Sequence, residues 1–232
     1  MVKHTTKRGD TLVEVMLAVG IFSLVAISIV AVMSGSTSSA QTSLEATLAR
    51  EEIDTQAEAL RFIHSSYIAD SKNSETESPY KDIWDAIKSG AIKPGSLDSN
   101  YPPTECKAIY EDGYLENQNA FVINYRNLKD RDYAYVPSSA GSTELFRVAS
   151  TYPRIVYESD TELINDNDPS INSVEGIYVT AVKGNDGGDP SGDPDFYDFY
   201  IRTCWYGSGE RTASTISTVI RLINPEIVIN QN

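Results

Sequence analysis

The chain has 232 residues and a formal net charge of −14 at pH 7, because 33 acidic residues outnumber 19 basic ones. That length suits one globular domain, or one domain with an appended element, and the acidity disfavours direct binding of nucleic acid, which needs a basic surface. With only two cysteines and two histidines, the chain is a poor match for a disulfide-dense scaffold, a four-cysteine zinc site or histidine-based catalysis.

An apolar run without any charge extends from Val15 to Met33 and follows a start that carries Lys3, Lys7 and Arg8. In helical form a run of that length reaches about 28 Å, close to the roughly 30 Å hydrocarbon thickness of a bilayer. The pattern predicts a membrane-spanning helix with its basic end in the cytoplasm and the rest of the chain exported. A cleaved secretory signal peptide is the alternative, for which residues 34–36 offer a weak cleavage site.

Between the basic start and the apolar run, residues 7–15 read KRGDTLVEV. This segment resembles the cleavage and methylation motif of type IV prepilins and type II secretion pseudopilins. In that family, a prepilin peptidase cuts after the glycine that ends a short basic leader, and the new amino group is methylated. The resemblance implies a leader of residues 1–9, cleavage after Gly9 and methylation of Asp10. It also makes Glu14 the fifth residue of the mature chain, where the family keeps a glutamate.

Glu14 also draws attention on physical grounds. An ionised carboxylate near a bilayer costs on the order of 3 kcal/mol, so an acid at the mouth of a membrane helix is a candidate functional residue. As the resemblance to pilins implies, the α-ammonium of Asp10 from an adjacent subunit would neutralise Glu14 and set the axial register of assembly. The alternative is that Glu14 reaches headgroup water and has no role. The chain departs from the common family pattern by having Asp10 in place of phenylalanine and no proline in the apolar run.

Beyond a serine-rich tract at residues 34–39, the pattern changes from uniformly apolar to amphipathic. The apolar residues recur mostly three to five positions apart: Leu44, Leu48, Ile53, Ala57, Leu60, Ile63 and Tyr67. Glu45 and other charged residues occupy positions between them, as expected for a helix with one face on a core. The sequence therefore predicts one long helix over residues 10–69, with about 12–33 in the membrane. His64 is expected to be a surface or boundary residue rather than a ligand.

Residues 70–232 are predicted to form a soluble globular head that begins with a polar linker over 70–79. A short helix is predicted over Tyr80–Ile92, with Ile83, Trp84 and Ile87 on one face. Strand candidates rich in aromatic and β-branched residues follow: Ala120–Tyr125, Leu145–Ala149, Arg154–Tyr157, Gly176–Val182, Phe196–Trp205, Thr215–Ile223 and Ile227–Ile229. The aromatics of Phe196–Trp205 indicate a central strand, with a sugar- or peptide-stacking surface as the alternative. The order of elements predicts an α+β fold, a long helix packed on a small antiparallel sheet, which is also the pilin order.

Cys106 and Cys204 are the two cysteines of the chain. Pairing them would close a loop of about 100 residues, worth about 4–5 kcal/mol in the chain-entropy model. Export favours oxidation, and many pilins staple their carboxy-terminal region in a similar way. A disulfide is therefore expected, with two free thiols as the alternative.

One loop has the composition of a metal site. Residues 185–195 place Asp186, Asp189, Asp193 and Asp195 among glycines and prolines, and calcium takes oxygen ligands from loops of this kind. The alternative is a solvated acidic turn, since the spacing of an EF-hand is absent. No other cofactor is indicated. The chain also lacks a serine-hydrolase elbow and a zinc-protease motif, so an enzyme is not expected.

The sequence and its resemblance together predict a structural subunit of a type IV pilus or pilus-like filament, a minor pilin or pseudopilin rather than a major one. Its expected partners are homologous pilin subunits, the prepilin peptidase and the inner-membrane assembly machinery. The expected location is the cytoplasmic membrane before assembly, and then the cell surface. The family's uses in adhesion, motility, DNA uptake and secretion are not separable from the sequence. Two alternatives stay open: a single-pass membrane-anchored surface binding protein, and an anchored calcium-dependent enzyme that acts on glycans.

Overall fold

A computed structural model of the protein describes residues 10–71, 78–97, 106, 109, 114–128, 134–137, 176–184, 194–206 and 212–230. Within these ranges the fold is α+β, as predicted. The helices are α1 (Asp10–Ser71), α2 (Pro79–Gly90), α3 (Tyr114–Asn117) and α4 (Pro225–Asn230), with a 3₁₀ turn at Tyr125–Asn127. The strands are β1 (Phe121–Ile123), β2 (Tyr135–Pro137), β3 (Gly176–Gly184), β4 (Phe196–Tyr206) and β5 (Ala213–Ile223). The predicted strands at 145–149 and 154–157 lie outside the described residues.

The chain divides into two compact units, residues 1–43 and 44–232. The first contains the apolar half of α1, and the second contains the amphipathic half together with every other described element. Helix α1 is 62 residues long, so its predicted span over residues 10–69 is confirmed to within two residues.

In the second unit, one face of α1 is buried in the core. The buried positions recur every three or four residues, as the helical period requires: Glu45, Ala49, Ile53, Gln56, Leu60, Ile63 and Tyr67. The predicted face was wrong at its amino end, because Leu44 is 55% exposed and Glu45 only 7% exposed. The buried face that includes Ile53 continues toward the amino end through Ala49 and Glu45, at intervals of four residues. Leu44 is one position away from this face and is therefore exposed.

The five strands form one antiparallel sheet in the order β2-β1-β3-β4-β5. Strand β3 is buried along its first seven residues, so both of its faces are covered there. Strand β4 lies between β3 and β5, as predicted for a central strand. After α2, Ile92 adds a parallel bridge to Val182 of β3 beyond the short strand β1.

Helix α2 packs through Ile83, Trp84, Ala86 and Ile87, which confirms the predicted face. Its start is tied to the end of α1, since the Ser78 hydroxyl donates a hydrogen bond to the Asp70 carboxylate (2.7 Å). Two residues of the segment predicted as a linker belong to α1, which continues to Ser71, and α2 begins at Pro79.

The last predicted strand, Ile227–Ile229, is wrong, because these residues belong to helix α4. The Asn224 side chain accepts a hydrogen bond from the Glu226 amide (3.2 Å), and Pro225 supplies a first helical residue. This local cap outweighs the strand preference of Ile, Val and Ile. Lys88 of α2 bonds to Glu226, and that hydrogen bond raises the pKa of Lys88 well above its usual value.

Candidate assembly helix and head surfaces

The apolar half of α1 has no cover in the described structure. Fifteen large hydrophobic side chains between Leu12 and Met33 are 51–74% exposed. One window of this helix has a mean hydropathy of 2.8, and none of it is buried. Burying a large apolar side chain is worth about 1.5–3 kcal/mol, so leaving all of them in water would cost on the order of tens of kcal/mol. The segment is long and apolar enough to cross a membrane.

Hydroxyl groups inside this apolar segment are satisfied by the helix itself. The Ser23 hydroxyl donates to the Val19 carbonyl, and the Ser28 hydroxyl donates to the Leu24 carbonyl, both at 2.8 Å. A polar group that bonds to the preceding turn does not need water. These serines therefore do not oppose insertion into a bilayer.

Asp10 and Glu14, two residues of the segment that resembles a prepilin motif, lie in the first turns of α1. Asp10 is the first residue of the helix, and Glu14 is exposed one turn later. Positions i and i+4 share a helix face, and about 6 Å of axial rise separates them. Gly9 and the remainder of the predicted leader lie outside the described residues.

Cys106 and Cys204 form a disulfide, as expected, and both residues are fully buried. The bond joins Cys106 to the end of β4, on the sheet face that carries Tyr178 and Arg202. Tyr114 of α3 packs edge-on against Tyr178 on the same face, with the ring centroids 6.4 Å apart. The disulfide therefore fixes a second layer, which includes α3, against this face of the sheet.

Gln56 is a buried polar residue of α1 whose role the sequence pattern does not predict. Its side-chain nitrogen donates to the Ile123 carbonyl (2.9 Å), and its side-chain oxygen accepts from the Ile123 amide (3.0 Å). The amide side chain therefore substitutes for a neighbouring strand at the end of β1. The only sequence signal was a glutamine on the core side of the amphipathic helix.

His64 lies at the boundary of the core, as predicted. Its Nε2 atom is 2.8 Å from the Ile223 carbonyl oxygen, and its ring packs against Trp84 with the centroids 5.4 Å apart. Burial lowers the pKa of His64, and the hydrogen bond to Ile223 opposes that shift. No group of histidine, cysteine and acidic residues that could hold a metal ion is found in the described part of the chain.

The predicted calcium ligands are mostly outside the described residues, since only Asp195 lies inside them. Its amide donates to the Gly184 carbonyl (3.0 Å), which ties the start of β4 to the end of β3. Asn224 adds a second contact just before β4 by donating its side-chain nitrogen to the Pro194 carbonyl (3.0 Å). The composition argument for calcium stays a prediction.

An open groove of about 430 Å³ lies along the exposed side of α1 in the head. The lining includes two acids among mostly apolar side chains: Asp54, Thr55, Glu58, Ala59, Phe62, Tyr125 and Leu128. Phe62 is 47% exposed, and its ring stands edge-on to Tyr80 with the centroids 5.5 Å apart. Sequence periodicity did not reveal the groove, because residues from two distant segments line it.

Comparison with known proteins gives no match to a family model, to a curated protein or to a solved structure.

Proposed function

We propose that this chain is a structural subunit of a type IV pilus or a pilus-like filament, a minor pilin or pseudopilin rather than a major one. The observation that carries the proposal is the division of α1. Its first half is apolar and uncovered between Leu12 and Met33, whereas its second half packs one face into an antiparallel-sheet head. A helix of this kind anchors the subunit in a membrane and then packs with other helices in a filament core.

The resemblance of residues 7–15 supplies the processing step. Prepilin peptidase hydrolyses the peptide bond after Gly9, which leaves a carboxylate on the leader and an α-amino group on Asp10. Methylation of that amine then completes the mature subunit. The apolar half of α1 holds the subunit in the cytoplasmic membrane until the assembly machinery extracts it.

Assembly depends on Glu14 in this proposal. In a filament core, the ammonium of Asp10 from a neighbouring subunit neutralises the Glu14 carboxylate. Because about 6 Å of helix rise separates these positions, the pair forms only when the two helices are staggered along their axes. Charge neutralisation therefore selects one register among many that apolar packing alone would allow.

Mass spectrometry of the displayed protein tests the processing step. A first residue of Asp10, with or without a methyl group, supports the proposal, and Gly9→Val should leave the leader attached and abolish surface filaments. Intact Met1 in the displayed protein would overturn it.

A variant at Glu14 tests assembly separately from processing. Glu14→Gln should be cleaved after Gly9 normally but should enter filaments much less than the unmodified chain. Glu51→Gln is the matched control, because Glu51 is an exposed glutamate on the same helix outside the apolar half. Equal filament incorporation of the two variants would remove Glu14 from the mechanism.

A single-pass membrane-anchored surface binding protein is the second candidate, and the open groove beside Phe62 favours it. That function needs the anchor and the head but not the removal of the leader. Unchanged mature size and surface display in Gly9→Val would therefore favour the binding protein over the filament subunit.

A further inference from the structure

We draw no further inference here: the strongest candidate, the open groove beside Phe62 on the exposed side of α1 in the head, carries none because nothing in the structure shows what covers it.

Discussion

Replacing Gln56 by methionine should weaken the head more than any nearby surface change. Gln56 is fully buried, and its side chain makes two hydrogen bonds to the backbone of Ile123. Methionine has a similar length and fills the same space, so little packing is lost. What the substitution removes is the partner of a buried amide and of a buried carbonyl.

The magnitude follows from those two groups. A buried backbone group left without a partner costs about 1–3 kcal/mol, and the two sites are adjacent, so their costs do not simply add. We expect Gln56→Met to lower the free energy of unfolding of the head by about 2–4 kcal/mol. Thr55→Ala is the matched control, because the Thr55 hydroxyl bonds only to the Glu51 carbonyl of its own helix and is exposed. That variant should change stability by less than about 0.5 kcal/mol.

Tryptophan fluorescence measures the head alone in the full chain. Both tryptophans, Trp84 and Trp205, are buried in the head, at 0% and 4% exposure, and the apolar half of α1 has none. Urea titration in detergent therefore reports unfolding of the head without a signal from the anchor. A midpoint for Gln56→Met equal to that of Thr55→Ala would refute the reasoning.

A second variant separates hydrogen bonding from packing. Gln56→Glu places a carboxyl group between the Ile123 amide and carbonyl. When protonated, this group can donate and accept as the amide does, but when ionised it can only accept. Burial and the facing carbonyl raise the pKa of the introduced carboxyl in the folded state, so the variant should be destabilised at neutral pH and should recover as the pH falls. A deficit that does not change with pH would contradict the hydrogen-bond account.

Three further predictions concern the head. A Cβ added at Gly184 would overlap the ring of Phe196, so Gly184→Ala should cost about 1–3 kcal/mol in urea titration. Burial lowers the pKa of His64. The contribution of His64 to stability is therefore present above its unfolded pKa of about 6.5 and is lost as the pH falls through the lower folded value. His64→Gln should reduce the loss of unfolding free energy between neutral pH and pH 5. Replacing both Cys106 and Cys204 by serine should lower stability by about 4 kcal/mol, since the bond closes a loop with a sequence separation of 98, and an equal midpoint with and without reductant in the unmodified chain would argue against it.

Periodicity in the sequence was sufficient to predict those elements whose residue spacing is set by burial of apolar side chains. The apolar run and the amphipathic repeat that follows it predict α1 almost to its ends, because helical burial requires a fixed spacing. Strands β3, β4 and β5 were also predicted within two residues of their ends. A long element with a strong hydrophobic pattern is compatible with few other secondary structures.

A local helix cap and contacts between distant residues explain the features that the sequence pattern predicted wrongly or did not predict. Ile227–Ile229 has strand-forming side chains, but the cap at Asn224 turns the segment into a helix. Strand β2 is only three residues long and pairs with β1, which no local pattern reveals. Gln56 and the groove beside Phe62 depend on residues more than sixty positions apart, so their roles appear only after the chain has folded.

The two halves of α1 have opposite surroundings although they form one continuous helix. The head half is stabilised by its own core, since Leu60 and Ile63 are fully buried. The apolar half has no such cover within the described chain, and it is long and apolar enough to cross a membrane. Glu14 lies at the end of that half, where a charge opposes insertion unless a cation meets it. In the proposed filament, the subunit exchanges lipid for neighbouring helices when it leaves the membrane, and Glu14 exchanges solvent for a neighbouring ammonium in the same step. The proposal therefore needs the glutamate and the apolar run together.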